Sequence, residues 1–226
     1  ANDEEEFSRA FSRVGALLTI LDLVAVDEQA RWILVEDFVP GIEVAVEGLL
    51  TRGALQPLAM FDKPDPLNGP FFEETIYVTP SRLAGEVQEE IIQTTAAAAR
   101  VMGLTRGPIH AELRVNEQGA WVLEVAARAI GGLCARALRF GEGMSLEELI
   151  IRHALDEDVS NVDREQRAAG VMMIPIPRAG ILKNIRGIEL ARDADDIEDI
   201  IITAHITQEL APPPEGASYL GSIFSR

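Results

Sequence analysis

GPIHAELRVNEQGAWVLEVAARAIGG, residues 107 to 132, holds two apolar segments that each carry one glutamate, Glu112 and Glu124. Read as a hairpin with the three-residue turn Glu117-Gln118-Gly119, the pairing sets Asn116 opposite Ala120 and Glu112 opposite Glu124. Glycine suits the left-handed last position of such a turn. This register puts Ile109, Ala111, Leu113 and Val115 opposite Ala127, Val125, Leu123 and Trp121, so one face is all apolar. The other carries His110, Glu112, Arg114, Glu124 and Ala126, with Arg128 just beyond. A two-residue turn would move Leu123 to the face of Glu112, and such a slip would scramble the core.

Directly opposed side chains have Cβ atoms about 4.5–5.5 Å apart. Two carboxylates at that range destabilise each other unless a proton or cation lies between them. Magnesium binds oxygen, typically one or two carboxylates plus substrate phosphates. The pair therefore points to a Mg²⁺–phosphate site (Mn²⁺ being an equivalent hard ion), with Arg128 set to meet an anionic oxygen. The plainer reading is two glutamates on a solvated sheet face beside Arg114.

Working outward, residues 3 to 22 space Phe7, Ala10, Phe11, Val14, Leu17, Leu18 and Leu21 as an amphipathic helix with acids in its first turn. RWILVEDF (31–38) reads as a buried strand and IEVAVEGLL (42–50) as a half-buried one, with Glu43 and Glu47 on its outer side. A strand near ALQPLAMF (54–61) and a loop over 62–70 come next, then a strand at FEETIYV (72–78) and a long helix from Pro80 to about Gly103. After the hairpin, helices are expected around 132–140 and 145–156. From about residue 159 the chain turns to short strands and Gly/Pro turns. The expectation is an α+β protein: an antiparallel sheet with helices over 1–158, and a small β-rich C-terminal subdomain over 159–226.

The 226 residues carry 37 acidic and 20 basic side chains, a net charge of −17, so a phosphate backbone would be repelled and nucleic acid is not an expected partner. No apolar run approaches the roughly 20 residues of a membrane span. The single cysteine, Cys134, excludes an intrachain disulfide and fits a cytoplasmic setting; it reads as a packed small residue. His110, His153 and His205 share no metal spacing, and His110 reads as hydrogen-bonded or solvated. Met172 and Met173 read as core. Lys63, the only lysine before residue 180, lies in the Pro/Asp stretch and reads as a solvated charge. Both ends read as cut from a longer protein.

EDFVPGIEVAVEG (36–48), GPIHAELRV and VLEVAARAIGG (122–132) resemble the ATP-grasp superfamily of carboxylate–amine ligases, and most of all its L-amino-acid ligase branch. GVMMIPIPRAGIL (170–182) is similar to the small domain that follows there. The resemblance implies a C-terminal ATP-grasp lobe acting with ATP and Mg²⁺ on a small-molecule carboxylate and an amine, in a protein for which a homodimer is open. It implies that Glu36, Asp37, Phe38 and Val39 form the segment edging the adenine and that Glu43 holds the ribose. It also implies that Glu112 and Glu124 bind the metal and that Arg128 steadies the transferred phosphoryl group. Glu74, Gly131 and Gly132 would meet the substrate. Many ATP-grasp enzymes have an asparagine two places after the second glutamate; Ala126 stands there, removing one ligand of a second magnesium. The phosphate-covering lobe with its lysines and glycine-rich loop is not in this stretch, so the chain alone is expected to bind ATP weakly. Two other readings stay open: a biotin-carboxylase-like or purine-biosynthesis-like relative, and a non-catalytic nucleotide-binding module.

Overall fold

The computed structural model describes residues 1–20, 28–65, 74–212, 216 and 218–226. Two compact units emerge, residues 1–39 and 40–226.

In the first unit, α1 (Glu4–Ile20) starts where the Asp3 carboxylate accepts the Glu6 amide at 2.8 Å. That N-cap satisfies one orphan donor, and Glu4, Glu5 and Glu6 complement the helix dipole. The amphipathic helix is as expected over the described residues; Leu21 and Asp22 lie outside them. Its stripe includes Phe7 and Phe11, whose rings lie 5.9 Å apart. The strand expected over 31–38 does not form. A 3-10 turn at Glu28–Arg31 leads into irregular chain, and Trp32 and Leu34 are exposed at 77% and 79%. A strand needs a neighbour for its ladder, and among the described residues this segment has none.

The second unit is built on one eight-stranded sheet, ordered β5-β4-β1-β2-β3-β6-β10-β8, with every neighbouring pair antiparallel. The strands are β1 (Ile42–Thr51), β2 (Ala54–Lys63), β3 (Ile76–Thr79), β4 (Gly107–Asn116), β5 (Gly119–Ala126), β6 (Ala169–Ile174), β8 (Ile197–Ile202) and β10 (Gly221–Ser225). A separate pair joins β7 (Gly180–Ile181) to β9 (Glu209–Leu210). The α+β class is as expected. Residues 159–226, expected as a subdomain of their own, instead extend the main sheet through β6, β10 and β8.

One face of the sheet packs against α2 (Gly85–Val101): Ile91 meets Val44, Val46, Met60, Ala111 and Leu113, and Ala99 meets Leu50 and Ile109. The opposite face packs Leu49, Phe61, Tyr77, Val171 and Phe224 under the segment from Ile130 to Val159, which includes a 3-10 turn at Cys134–Ala137 and α3 (Leu146–Ala154). A short α4 (Ile188–Arg192) packs by β8. Strand β1 is thus covered on both faces, and all residues from Glu43 to Leu50 are buried. This corrects the half-buried reading of IEVAVEGLL: alternation located the faces, but polar residues at 43 and 47 did not mean water.

The central hairpin also differs in its turn. Asn116 pairs with Gly119, leaving a two-residue turn, Glu117-Gln118, where the Asn116 side chain accepts the Gln118 amide at 2.8 Å. Gly119 takes φ +118°. The register then shifts between Glu112 and Leu113: Leu113 pairs with Val122, and Leu123 is the extra residue of a β-bulge. The bulge restores the pairing of Glu112 with Glu124. It also turns Trp121 to the side of Arg114, so Trp121 and Leu123, expected in the core, are 45% and 40% exposed on the edge strand.

Candidate active site

The register gathers charge on the face of the sheet opposite α2. On β1, Glu43 pairs with Lys63 on β2 and with Arg114 on β4, and Glu47 pairs with His110. Period-two alternation sends Glu43, Glu47, His110, Glu112 and Arg114 to one side. Lys63 is the hub. Its ammonium lies 2.8 Å from Glu43 and 2.9 Å from Glu112, and it also bonds Glu74. It is 6% exposed and ends β2, which corrects both the solvated-charge reading and the start of the expected loop; residues 66–70 of that loop lie outside the described residues. The expected strand at 72–78 begins only at Ile76, and Phe72 and Glu73 likewise lie outside.

Arg114 holds the second oxygen of Glu43 at 2.9 Å. Glu43 is therefore buried and gripped by two cations, a geometry that does not match the expected ribose contact. His110 is hydrogen-bonded on both ring nitrogens, Nδ1 to Glu47 and Nε2 to Glu112 at 3.2 Å. The other oxygen of Glu47 accepts the Ile130 amide at 3.0 Å and so ties the sheet to the loop carrying Gly131 and Gly132. The Tyr77 hydroxyl donates to Glu74 at 2.5 Å, and the Tyr219 hydroxyl donates to the Glu74 carbonyl at 2.6 Å.

Electrostatics follow from this packing. Burial works against ionisation of Glu112, but the His110 bond and the nearby Lys63 outweigh it and hold the carboxyl down at about 2. Burial also opposes charge on His110, and its bonds to Glu112 and Glu47 lift it to about 9. Lys63 is raised because Glu74 and Glu112 overcome its burial. Burial raises Glu47, with His110 pulling the other way. Burial, reinforced by Glu74, raises Tyr77 and pushes the Cys134 thiol up to about 12. Cys134 is 2% exposed, packed as expected.

Glu124 lies directly opposite Glu112 but on the edge strand, its side chain 60% exposed and 3.8 Å from Arg128. Arg128 is itself 56% exposed and donates to the Ala129 carbonyl at 3.0 Å. A cavity of about 580 Å³ opens beside them, bordered by Glu74, Glu112, Arg128, Gly131 and Gly132. The cavity thus brings together every expected metal and substrate residue except Glu124, which pairs with Glu112 but does not line it. Glu36 to Val39 belong to the first unit, in irregular chain. Sequence reasoning missed Glu47 and Tyr77 and misread Lys63. The available signal was register: Glu47 stands opposite His110 once β1 is set beside β4. Of the two methionines, Met173 is buried, whereas Met172 is 40% exposed on the other side of β6.

Residues 1–137 match the ATP-grasp domain family. The chain belongs to it. In sequence it is 26% identical over 164 residues to Carnosine synthase 1 of Gallus gallus, covering 69% of this chain and 18% of that protein. It is also 26% identical over 109 residues to alanine–anticapsin ligase of Bacillus subtilis (strain 168), covering 48% of this chain and 22% of the relative. Among solved structures, the L-amino acid ligase from Bacillus licheniformis superposes with a TM-score of 0.83 at 27% identity, covering 100% of this ATP-grasp chain and 56% of that one. The chain thus spans about a fifth of the curated relatives it matches and just over half of that ligase.

Proposed function

We propose that this ATP-grasp chain is part of an ATP-dependent ligase that activates a carboxylate as an acyl phosphate and joins it to an amine, with amino acids as substrates. The observation that carries the reading is that Glu112, Arg128 and the Gly131-Gly132 loop line one cavity, with Glu124 paired opposite Glu112 on the edge strand. The family membership and the likeness to an L-amino acid ligase support it.

The donor set fits a magnesium ion. Glu112 and Glu124 pair directly across the two strands, and His110 and Lys63 hold the Glu112 carboxyl well below the usual carboxylate range, whereas the nearby oxygens of Glu43, Glu74 and Glu112 are already bridged by the Lys63 ammonium. Hard carboxylate oxygens are what Mg²⁺ or Mn²⁺ takes. Glu112 and Glu124 would hold the ion, which supplies neutralisation of phosphate charge.

The chain's own groups do the rest. A carboxylate oxygen of the first substrate attacks the γ-phosphorus of ATP, and the bond to ADP breaks. Arg128, half-exposed at the cavity, offers forked donors to the transferred phosphoryl oxygens. The neutral amine nitrogen then attacks the acyl carbon, and phosphate departs with the electron pair of the C–O bond and takes up the proton that the nitrogen loses. Glu74, anchored by Lys63 and Tyr77, orients the substrate ammonium. Catalysis rests on positioning and charge complementarity, without a covalent enzyme intermediate. Glu36 to Val39 edge the adenine in this reading. The packed, inert thiol of Cys134 is consistent with a cytoplasmic setting.

The test follows one oxygen. The full-length protein is incubated with MgATP, an amino acid labelled with ¹⁸O in its carboxylate, and a second amino acid. Transfer of one label into the released phosphate is expected. Phosphate released without label, or none with any pair, overturns the proposal.

A further inference from the structure

The ligase reading leaves the far wall of the same cavity unused, and that wall has a chemistry of its own. It comes from the C-terminal strands. Ser222 on β10 pairs with Met173 on β6, and the Met173 amide donates to the Thr75 carbonyl at 2.7 Å, one residue from Glu74. Val171 pairs with Tyr77, and Met173 follows it by two, so Ser222 shares the sheet face of Tyr77 and stands level with Glu74. Ser222 is 6% exposed and lines the cavity, and its hydroxyl has no hydrogen-bond partner among the described residues.

Gln208 lines the same wall. Its Oε1 accepts the His205 amide at 2.9 Å, which fixes the carboxamide orientation and leaves Nε2 as a donor without a partner among the described residues. Thr203, Ala204, Ser218 and Tyr219 line this wall too, and from residues 203 to 222 it carries no carboxylate, ammonium, guanidinium or imidazole. A hydroxyl and an amide donor that face the cavity without a partner among the described residues are available to bond a ligand group. A site built to hydrogen-bond a substrate group rejects the isostere lacking it.

We propose that Ser222 and Gln208 are specificity-determining residues that receive the side chain of one amino-acid substrate, and that this side chain is short, uncharged and hydrogen-bonding: a hydroxyl or a carboxamide. The assignment rests on the ligase reading for its substrate class. It explains why a sheet face so acidic near Glu74 and Glu112 ends in a neutral wall.

The experiment compares near-isosteres by binding, independently of turnover. Affinities of the full-length protein for threonine against valine, and asparagine against leucine, are measured by ligand-observed NMR without ATP and with it. At least a tenfold preference for the polar member of one pair is expected. Ser222→Ala or Gln208→Ala is expected to bring that ratio to about one while leaving the affinity of the apolar member and the melting temperature unchanged. A purely structural role for Ser222 would weaken both members alike. Equal binding of both members, no binding of any, or a charged side chain binding tighter than the neutral ones overturns the inference. A retained polar preference with no phosphate released from ATP would sink the ligase reading and leave this pocket assignment standing.

Discussion

Lys63 shows how much one side chain carries at the residue scale. It neutralises parts of three carboxylates at once, so its removal leaves Glu43, Glu74 and Glu112 facing one another. Breaking a buried ion pair from one side typically costs about 3–5 kcal/mol. Lys63→Met is accordingly expected to lower stability by that order in urea denaturation, whereas Glu124→Gln, on an exposed side chain, should leave stability nearly unchanged. The same Glu124→Gln variant is expected to weaken Mn²⁺ binding, read by electron paramagnetic resonance, by about tenfold or more. Unchanged Mn²⁺ affinity would remove Glu124 from the metal site. Cys134, with its thiol held up at about 12 and 2% exposed, should resist iodoacetamide at pH 8 in the folded protein and react fully in denaturant; labelling followed by mass spectrometry decides.

At the scale of the element, the hairpin of β4 and β5 is held in register by a glycine and a bulge. Gly119 has φ +118°, and a Cβ there would come 2.5 Å from the Glu90 carboxylate, which accepts the Ala120 amide at 3.0 Å. Gly119→Ala is expected to cost about 1–3 kcal/mol through backbone strain, measured as a lower urea midpoint with an unchanged slope. The pairing of Glu112 with Glu124 was legible in the sequence, and for an instructive reason. A three-residue turn with no bulge and a two-residue turn with one bulge give the same register at Glu112, so the pairing survived a misplaced turn. Trp121 and Leu123 lie between the two features, and there the outcomes diverge. Alternation could not reveal the bulge, because Trp121, Val122 and Leu123 are all apolar. Residues 31–38 misled for a related cause: a run of apolar residues says that burial is wanted without saying by what.

The whole molecule departs most from its sequence at residue 159. Composition changes there, and a separate subdomain is the natural expectation, yet β6, β10 and β8 continue the sheet begun by β5. Side chains from both parts share one core: Phe61 and Tyr77 on one hand, Val171 and Phe224 on the other. Residues 40–226 should therefore unfold in one cooperative step. In a Trp32→Phe variant, the fluorescence of Trp121 on the edge strand and the labelling of Cys134 beneath the core should report the same urea midpoint. Two separated midpoints would mean that the strands after residue 159 melt on their own. No helix among the described residues is long and apolar enough to cross a membrane. The candidate site was legible in its chemistry, through two glutamates and an arginine, but not in its wiring, since Glu47, Tyr77 and Lys63 acquire partners only when β1, β2 and β3 lie side by side.

The two opposed glutamates are not equals. Glu112 sits one strand in from the boundary, locked by a lysine and a histidine, while Glu124 occupies the rim with only a distant arginine for company. In the proposed metal site one jaw is thus braced and the other stands in solvent, so substitutions around Trp121 to Val125 are expected to change the ion's affinity without disturbing the anchor.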